Sequence, residues 1–145
     1  MIVFGGASKD GAMCNDAYAL DISTWTWRRL AAGGNDAKRP SPRAGACAAP
    51  LPHAAGIVVC CGAEASETGL VPRADVWTLT LDADAAAGTG DASWTRLLDD
   101  DARNAPKPRN AATLSVVGDN ELLLHGGWHP FKETFRDSHI LTLGA

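Results

Sequence analysis

Aromatic residues are sparse in this sequence: 145 residues hold one tyrosine and three phenylalanines, and only tryptophan, with five, is well represented. No stretch approaches the roughly 20 consecutive apolar residues that cross a bilayer as a helix. Residues 1–20 also lack the charged start and long apolar run of a secretory leader. The expectation is a chain with no membrane partner, located in the cytoplasm or nucleus. An excess of base is missing too. The formal net charge is −4 with acids and bases interspersed, which leaves no field to hold nucleic acid. GxSxG, GxxxxGK and HExxH do not occur, so the hydrolase, nucleotide and zinc-protease signatures they mark are absent.

Cysteine is scarce but clustered. Cys14, Cys47, Cys60 and Cys61 allow three pairings into two disulfides, yet without a secretion signal free thiols are expected. Cys60 and Cys61 are neighbours in an apolar run, and in a regular strand they point to opposite faces and cannot grip one ion together. His125 and His129 stand four apart, but Gly126, Gly127 and Pro130 forbid the helix that would align them. His53 falls in a turn after Pro52. No metal site, cofactor or catalytic residue is expected. Asp99-Asp100-Asp101, the one dense acidic run, reads as a solvated loop.

What the sequence does have is a recurring pattern. Ile2–Phe4 runs into Gly5-Gly6, a polar loop follows, Asp16 precedes Tyr18, and Trp27 comes soon after. The doublet returns as Cys61-Gly62 and Gly126-Gly127, the Asp as Asp75 and Asp137, Tyr18 as Trp77 and His139, and Trp27 as Trp94. Pro40-Ser41-Pro42-Arg43 and Pro106-Lys107-Pro108-Arg109 stand before the second and third doublets. Several landmarks in one order at roughly sixty-residue spacing indicate a repeat architecture, where any single Gly-Gly would be weak.

Each copy reads as β-structure. Residues 2–6 are a short apolar run ending in glycines, as a strand buried on both faces would be. Asp16–Asp21 alternates, and Trp25 and Trp27 would share a face by period two. Arg43–Ala49 and Ala111–Val117 read as inner strands of small or modest side chains, and Gly56–Cys61, Asp75–Leu81, Glu121–His125 and Ser138–Leu143 as further strands. Glu64–Arg73 and Trp128–Phe135 read as loops, and the insert at 83–93 as a mobile outer tip.

These residues resemble the kelch repeat: an apolar run ending in Gly-Gly, a tyrosine some residues on, then a tryptophan. The resemblance spans nearly the whole chain and is sharpest in the first copy, since Cys61 departs from the first glycine and Trp77 and His139 depart from the tyrosine. It implies an all-β, kelch-type β-propeller fragment built of antiparallel four-stranded blades. The boundaries are a partial blade at 1–32 (strands two to four), a complete blade at 40–99, and a partial blade at 106–145 (strands one to three). Those copies supply three, four and three strands, against about 24 for a six-bladed ring of four-stranded blades. The expected setting is therefore a longer parent chain with further blades, and exposed sheet faces that favour association in the isolated piece.

The resemblance also implies a function. Kelch propellers bind partners on the face formed by the loop after Gly-Gly and by the residues after Pro-Arg. Mapped here, that face holds Ser8, Lys9, Ala44, Glu64, Asn110, Trp128, His129 and Phe131. Trp128, Phe131 and Phe135 are the candidate anchors, because aromatics on a loop without a core role anchor interfaces. The expected activity is a non-catalytic scaffold or adaptor that binds a protein partner. The alternative is a piece of a propeller enzyme or sugar-binding propeller, similar to the central domain of galactose oxidase, whose site lies mainly in missing blades. A single tyrosine, Tyr18, cannot complete an oxidase site within this chain. A third reading is an unrelated β-sandwich carrying Gly-Gly pairs.

Overall fold

The computed structural model describes residues 1–31, 39–82 and 92–144. Among the described residues the fold is all β, with antiparallel pairing throughout and no helix, so none is long and apolar enough to cross a membrane. The first sheet has strand order β1 (Ile2–Ala7), β2 (Met13–Asp21), β3 (Thr26–Arg29). The second has four strands in the order β4 (Cys47–Pro50), β5 (Gly56–Cys60), β8 (Val76–Leu81), β9 (Ala92–Leu98). The third runs β10 (Thr113–Val116), β11 (Glu121–His125), β14 (Ser138–Thr142).

Register shows why the landmarks recur. Tyr18 lies opposite Val3, Trp77 opposite Val59 and His139 opposite Leu124, in each case the residue two before the doublet. The first residue of each doublet is left-handed, with φ of +62° at Gly5, +63° at Cys61 and +68° at Gly126. At Cys61 and Gly126 that conformation turns the chain out of the sheet, at Gly5 it makes a bulge within β1, and in each case it is why glycine suits the position.

The second sheet lies between the other two. Ile57, Val59, Trp77, Leu79 and Trp94 face the first sheet and pack with Ala17, Leu30, Ile2 and Phe4. The Phe4 and Trp94 rings meet edge to face at 5.0 Å. On the opposite side Cys47, Val58, Cys60 and Val76 pack with Leu122, Leu124, Leu114 and Leu141 of the third sheet. Strand β5 is therefore covered on both faces, with Val58 and Val59 both inaccessible, and its unbroken Ile-Val-Val-Cys run is what such a position requires.

Several expectations need correction. Strand β1 is only half buried, with Val3 44% exposed, because one face of the first sheet has no neighbour among the described residues. Trp25 does not share a face with Trp27: it occupies a turn at φ +56° and is 76% exposed. The inner strands are shorter than expected, and Arg43 and Arg109 lie ahead of them. The two expected loops are hairpins, β6 (Ala63–Ser66) with β7 (Gly69–Pro72), and β12 (Trp128–His129) with β13 (Glu133–Thr134). Asp100 is no solvated bystander, since its Oδ1 accepts from the amides of Ala74 at 2.6 Å and Asp75 at 3.0 Å and its Oδ2 pairs with Arg73 at 3.0 Å. The tip expected at 83–93 lies mostly outside the described residues.

Candidate interaction surface

Each Pro-Arg landmark supplies a clamp. Arg43 is fully buried and lays its guanidinium on the Asp75 carboxylate, Nη2 to Oδ2 at 2.9 Å and Nη1 to Oδ1, while Nη1 also donates to the Cys61 carbonyl at 3.0 Å. Trp77 Nε1 completes the carboxylate's partners at 2.7 Å. Arg109 repeats the arrangement one sheet later, donating to both Asp137 oxygens at 2.6 and 3.1 Å and to the Gly126 carbonyl at 2.9 Å. Hydrogen bonds from Arg109 hold the Asp137 carboxyl well below the usual carboxylate range. Bidentate pairing of this kind fixes where the chain leaves the sheet after the doublet.

Backbone bonds then tie successive sheets together. The Gly6 amide donates to the Arg43 carbonyl at 2.8 Å, and the Gly62 amide to the Arg109 carbonyl at 3.0 Å. Within the second repeat Ala44 and Ala63 exchange bonds of 3.0 and 2.9 Å, and within the third Asn110 and Trp128 exchange two of 3.0 Å. The approach is tightest at the second glycine of the later doublets: a Cβ on Gly127 would stand 2.8 Å from the Asn110 carbonyl oxygen, and one on Gly62 3.0 Å from the Ala46 backbone. The strip sets the loop of Ser8 and Lys9, the β6–β7 hairpin and the β12–β13 hairpin in succession along one rim.

Comparison with known proteins agrees with this geometry. The KLHDC2/KLHL20/DRC7 Kelch-repeats domain model matches residues 1–145. The chain belongs to the kelch-repeat family. It is 28% identical to F-box/kelch-repeat protein At1g51550 of Arabidopsis thaliana over 88% of its own length, and it spans 25% of that relative. The solved structure of YjhT superposes with a TM-score of 0.66 at 17% identity, covering 98% of this chain and 38% of that one, a likeness of fold. The chain is thus part of a kelch β-propeller.

On the kelch rim the expected residues separate by environment. Ser8 and Lys9 are exposed, Ser8 closing its own loop through an Oγ bond from the Ala12 amide at 3.1 Å. Glu64 is spent internally: it accepts from Ser41 Oγ and lies 2.8 Å from Arg73 Nε. Ala44 is half buried within the strip, and Asn110 is buried, its Oδ1 without a partner among the described residues. Trp128 and His129 are half buried at the base of their hairpin, with His129 Nδ1 3.2 Å from the Pro130 carbonyl. Phe131 stands at the tip, 94% exposed at φ +60°, edge to face with Trp128 at 6.5 Å. Phe135 is not an anchor, because it is buried with its ring centre 4.1 Å from the Arg109 guanidinium.

Two features escaped the sequence reading. The Arg–Asp clamps were visible as landmarks, and the recurrence of Arg and Asp around the second and third doublets was the signal that they pair. The second is a cluster of thiols. Cys61 is left-handed, so the alternation that would separate it from Cys60 fails, and the sulfurs of Cys47, Cys60 and Cys61 lie within 4.8 Å of one another. Hydrogen bonds from Cys60 and then Cys61 hold the Cys47 thiol below its usual range, while its own bonding and burial push the other two up.

Proposed function

We propose that this chain is a non-catalytic protein-interaction part of a kelch propeller, with blade boundaries at 1–32, 40–99 and 106–145, and that a longer parent supplies the remaining blades. The observation that carries this reading is Phe131. Its ring touches Trp128 at one edge and is otherwise held out in water at a hairpin tip, and an aromatic so placed is what a partner's pocket takes up. Trp128 at the hairpin base extends the same rim, and Ser8 and Lys9 lie farther along it, beyond the β6–β7 hairpin. The Arabidopsis relative is named for an F-box beside its kelch repeats, and by that likeness the parent is an adaptor.

A second reading has one observation in its favour. A polar cleft of about 480 Å³ between the first two sheets is lined by Ser41, Arg73, Asp75, Trp77, Arg96 and Asp100, a chemistry that suits a sugar. Its charges are already matched, however: Arg73 with Glu64 and Asp100, and Arg96 with Asp99 at 2.7 Å. A photo-crosslinking residue placed at position 131 of the parent protein separates the two. The interaction reading expects crosslinks to one protein from position 131 and none from position 117, an exposed valine away from the rim. Equal crosslinking from both sites, or saturable binding of an oligosaccharide that Arg73→Ala abolishes, overturns it.

A further inference from the structure

From the meeting of three buried sulfurs at Cys47, Cys60 and Cys61, we propose that the interface between the second and third sheets holds a three-coordinate site for a soft monovalent cation, with Cu(I) as the ion it fits. Each ligand reaches the site for a separate structural reason. Cys47 and Cys60 are direct cross-strand partners in β4 and β5, with Sγ atoms 3.3 Å apart. Cys61 joins them because its left-handed backbone swings the side chain to the same side. A cysteine in that conformation is strained where glycine is not, and both equivalent positions, Gly5 and Gly126, are glycine. Three sulfurs bound at about 2.3 Å from one centre lie about 4 Å from each other, within the spread seen here.

The surroundings select the ion. Val58, Val76, Leu122 and Leu124 pack around the sulfurs, and all three cysteines are buried. Among the described residues no fourth ligand atom joins the group. Structural zinc takes four ligands and catalytic zinc adds a water, whereas thiolates in a dry apolar pocket select a soft ion content with three. His139 lines the adjoining cavity, of about 110 Å³, which offers an entry path past Cys60 and Cys61, but its Nε2 is taken by Asp137 at 2.9 Å. Each sulfur binds as a thiolate, so every S–H proton still held by the three cysteines leaves as Cu(I) enters, and the CuS3 unit carries a double negative charge that buried Arg109, itself paired with Asp137, offsets only in part.

The test is anaerobic titration of the reduced 145-residue chain with Cu(I) against bicinchoninate, with X-ray absorption on the product. Expected are one equivalent per chain, three sulfur neighbours around copper, and no change on Cys14→Ser. Cys61→Gly installs the residue that the other two doublets carry, so it keeps the fold by circular dichroism while removing one ligand. Its Cu(I) affinity should fall by roughly a hundredfold, at or beyond the upper end of what losing a mere supporting contact costs a metal site. Unchanged affinity in Cys61→Gly, two-sulfur coordination, preference for Zn(II), or a Cys47–Cys60 disulfide in a chain that takes up no copper when reduced would each overturn the site.

Discussion

Arg43 grips Asp75 across thirty-two residues of sequence with both partners out of water, and Trp77 seals the carboxylate from the side. A buried pair of this kind is costly to break because either survivor is left as an unmatched charge. Asp75→Ala should therefore destabilise the chain by about 3–5 kcal/mol in urea unfolding. Asp137→Ala should cost less, since Asp137 is 45% exposed and already half in water. Equal losses at the two positions would show that burial does not set the difference.

The acid limb of stability should carry the Arg109–Asp137 contact. The folded carboxyl titrates below its unfolded value, so its contribution is complete above an unfolded pKa of about 3.9 and disappears as pH falls through the folded value. Wild type should melt higher than Asp137→Asn by a constant margin above about pH 5, and that margin should shrink as pH falls toward the folded value. Thermal melts across that range check it.

Core truncation should be severe in the middle sheet. Leu79 is fully inaccessible and packs toward the first sheet, so Leu79→Ala should cost about 2–5 kcal/mol. Chemical denaturation followed by tryptophan fluorescence reads this directly, because Trp77 and Trp94 share that cluster.

At the rim the expectation reverses. Phe131→Ser should leave the unfolding free energy within about 0.5 kcal/mol of wild type while abolishing capture of the partner. Trp128→Ala should weaken capture without unfolding the protein, and a large drop in melting temperature would reassign Trp128 to the core.

The outer sheets leave apolar residues uncovered: Val3 and Tyr18 on the first, at 44% and 37% exposure, and Val116 and Ile140 on the third, at 40% and 55%. The isolated chain should self-associate in a concentration-dependent way by light scattering, and Val3→Lys with Ile140→Lys should reduce it.

The repeat was legible because glycine doublets, Asp and the large residue two positions later each answer to one backbone or packing demand, and those demands recur in every sheet. Strand limits around Arg43 and Arg109 were less legible, since both arginines act through guanidinium contacts that no periodicity encodes. The β6–β7 and β12–β13 hairpins were missed because Glu64–Arg73 and Trp128–Phe135 show little alternation over such short strands. Cys61 was misread for a specific reason: period-two reasoning assumes an extended backbone, and a left-handed residue breaks it. Phe135 looked like an anchor because sequence alone does not reveal that Arg109 lies beneath its ring.

The seam that joins Gly6 to Arg43 is rebuilt between Gly62 and Arg109 from the same two chemical groups, an amide after the turn and a carbonyl after the prolines. Neither depends on which side chains its neighbour carries. A duplicated or deleted unit would find the same docking edge waiting on each side, so genes of this type can lengthen or shorten by whole units without inventing a new connector.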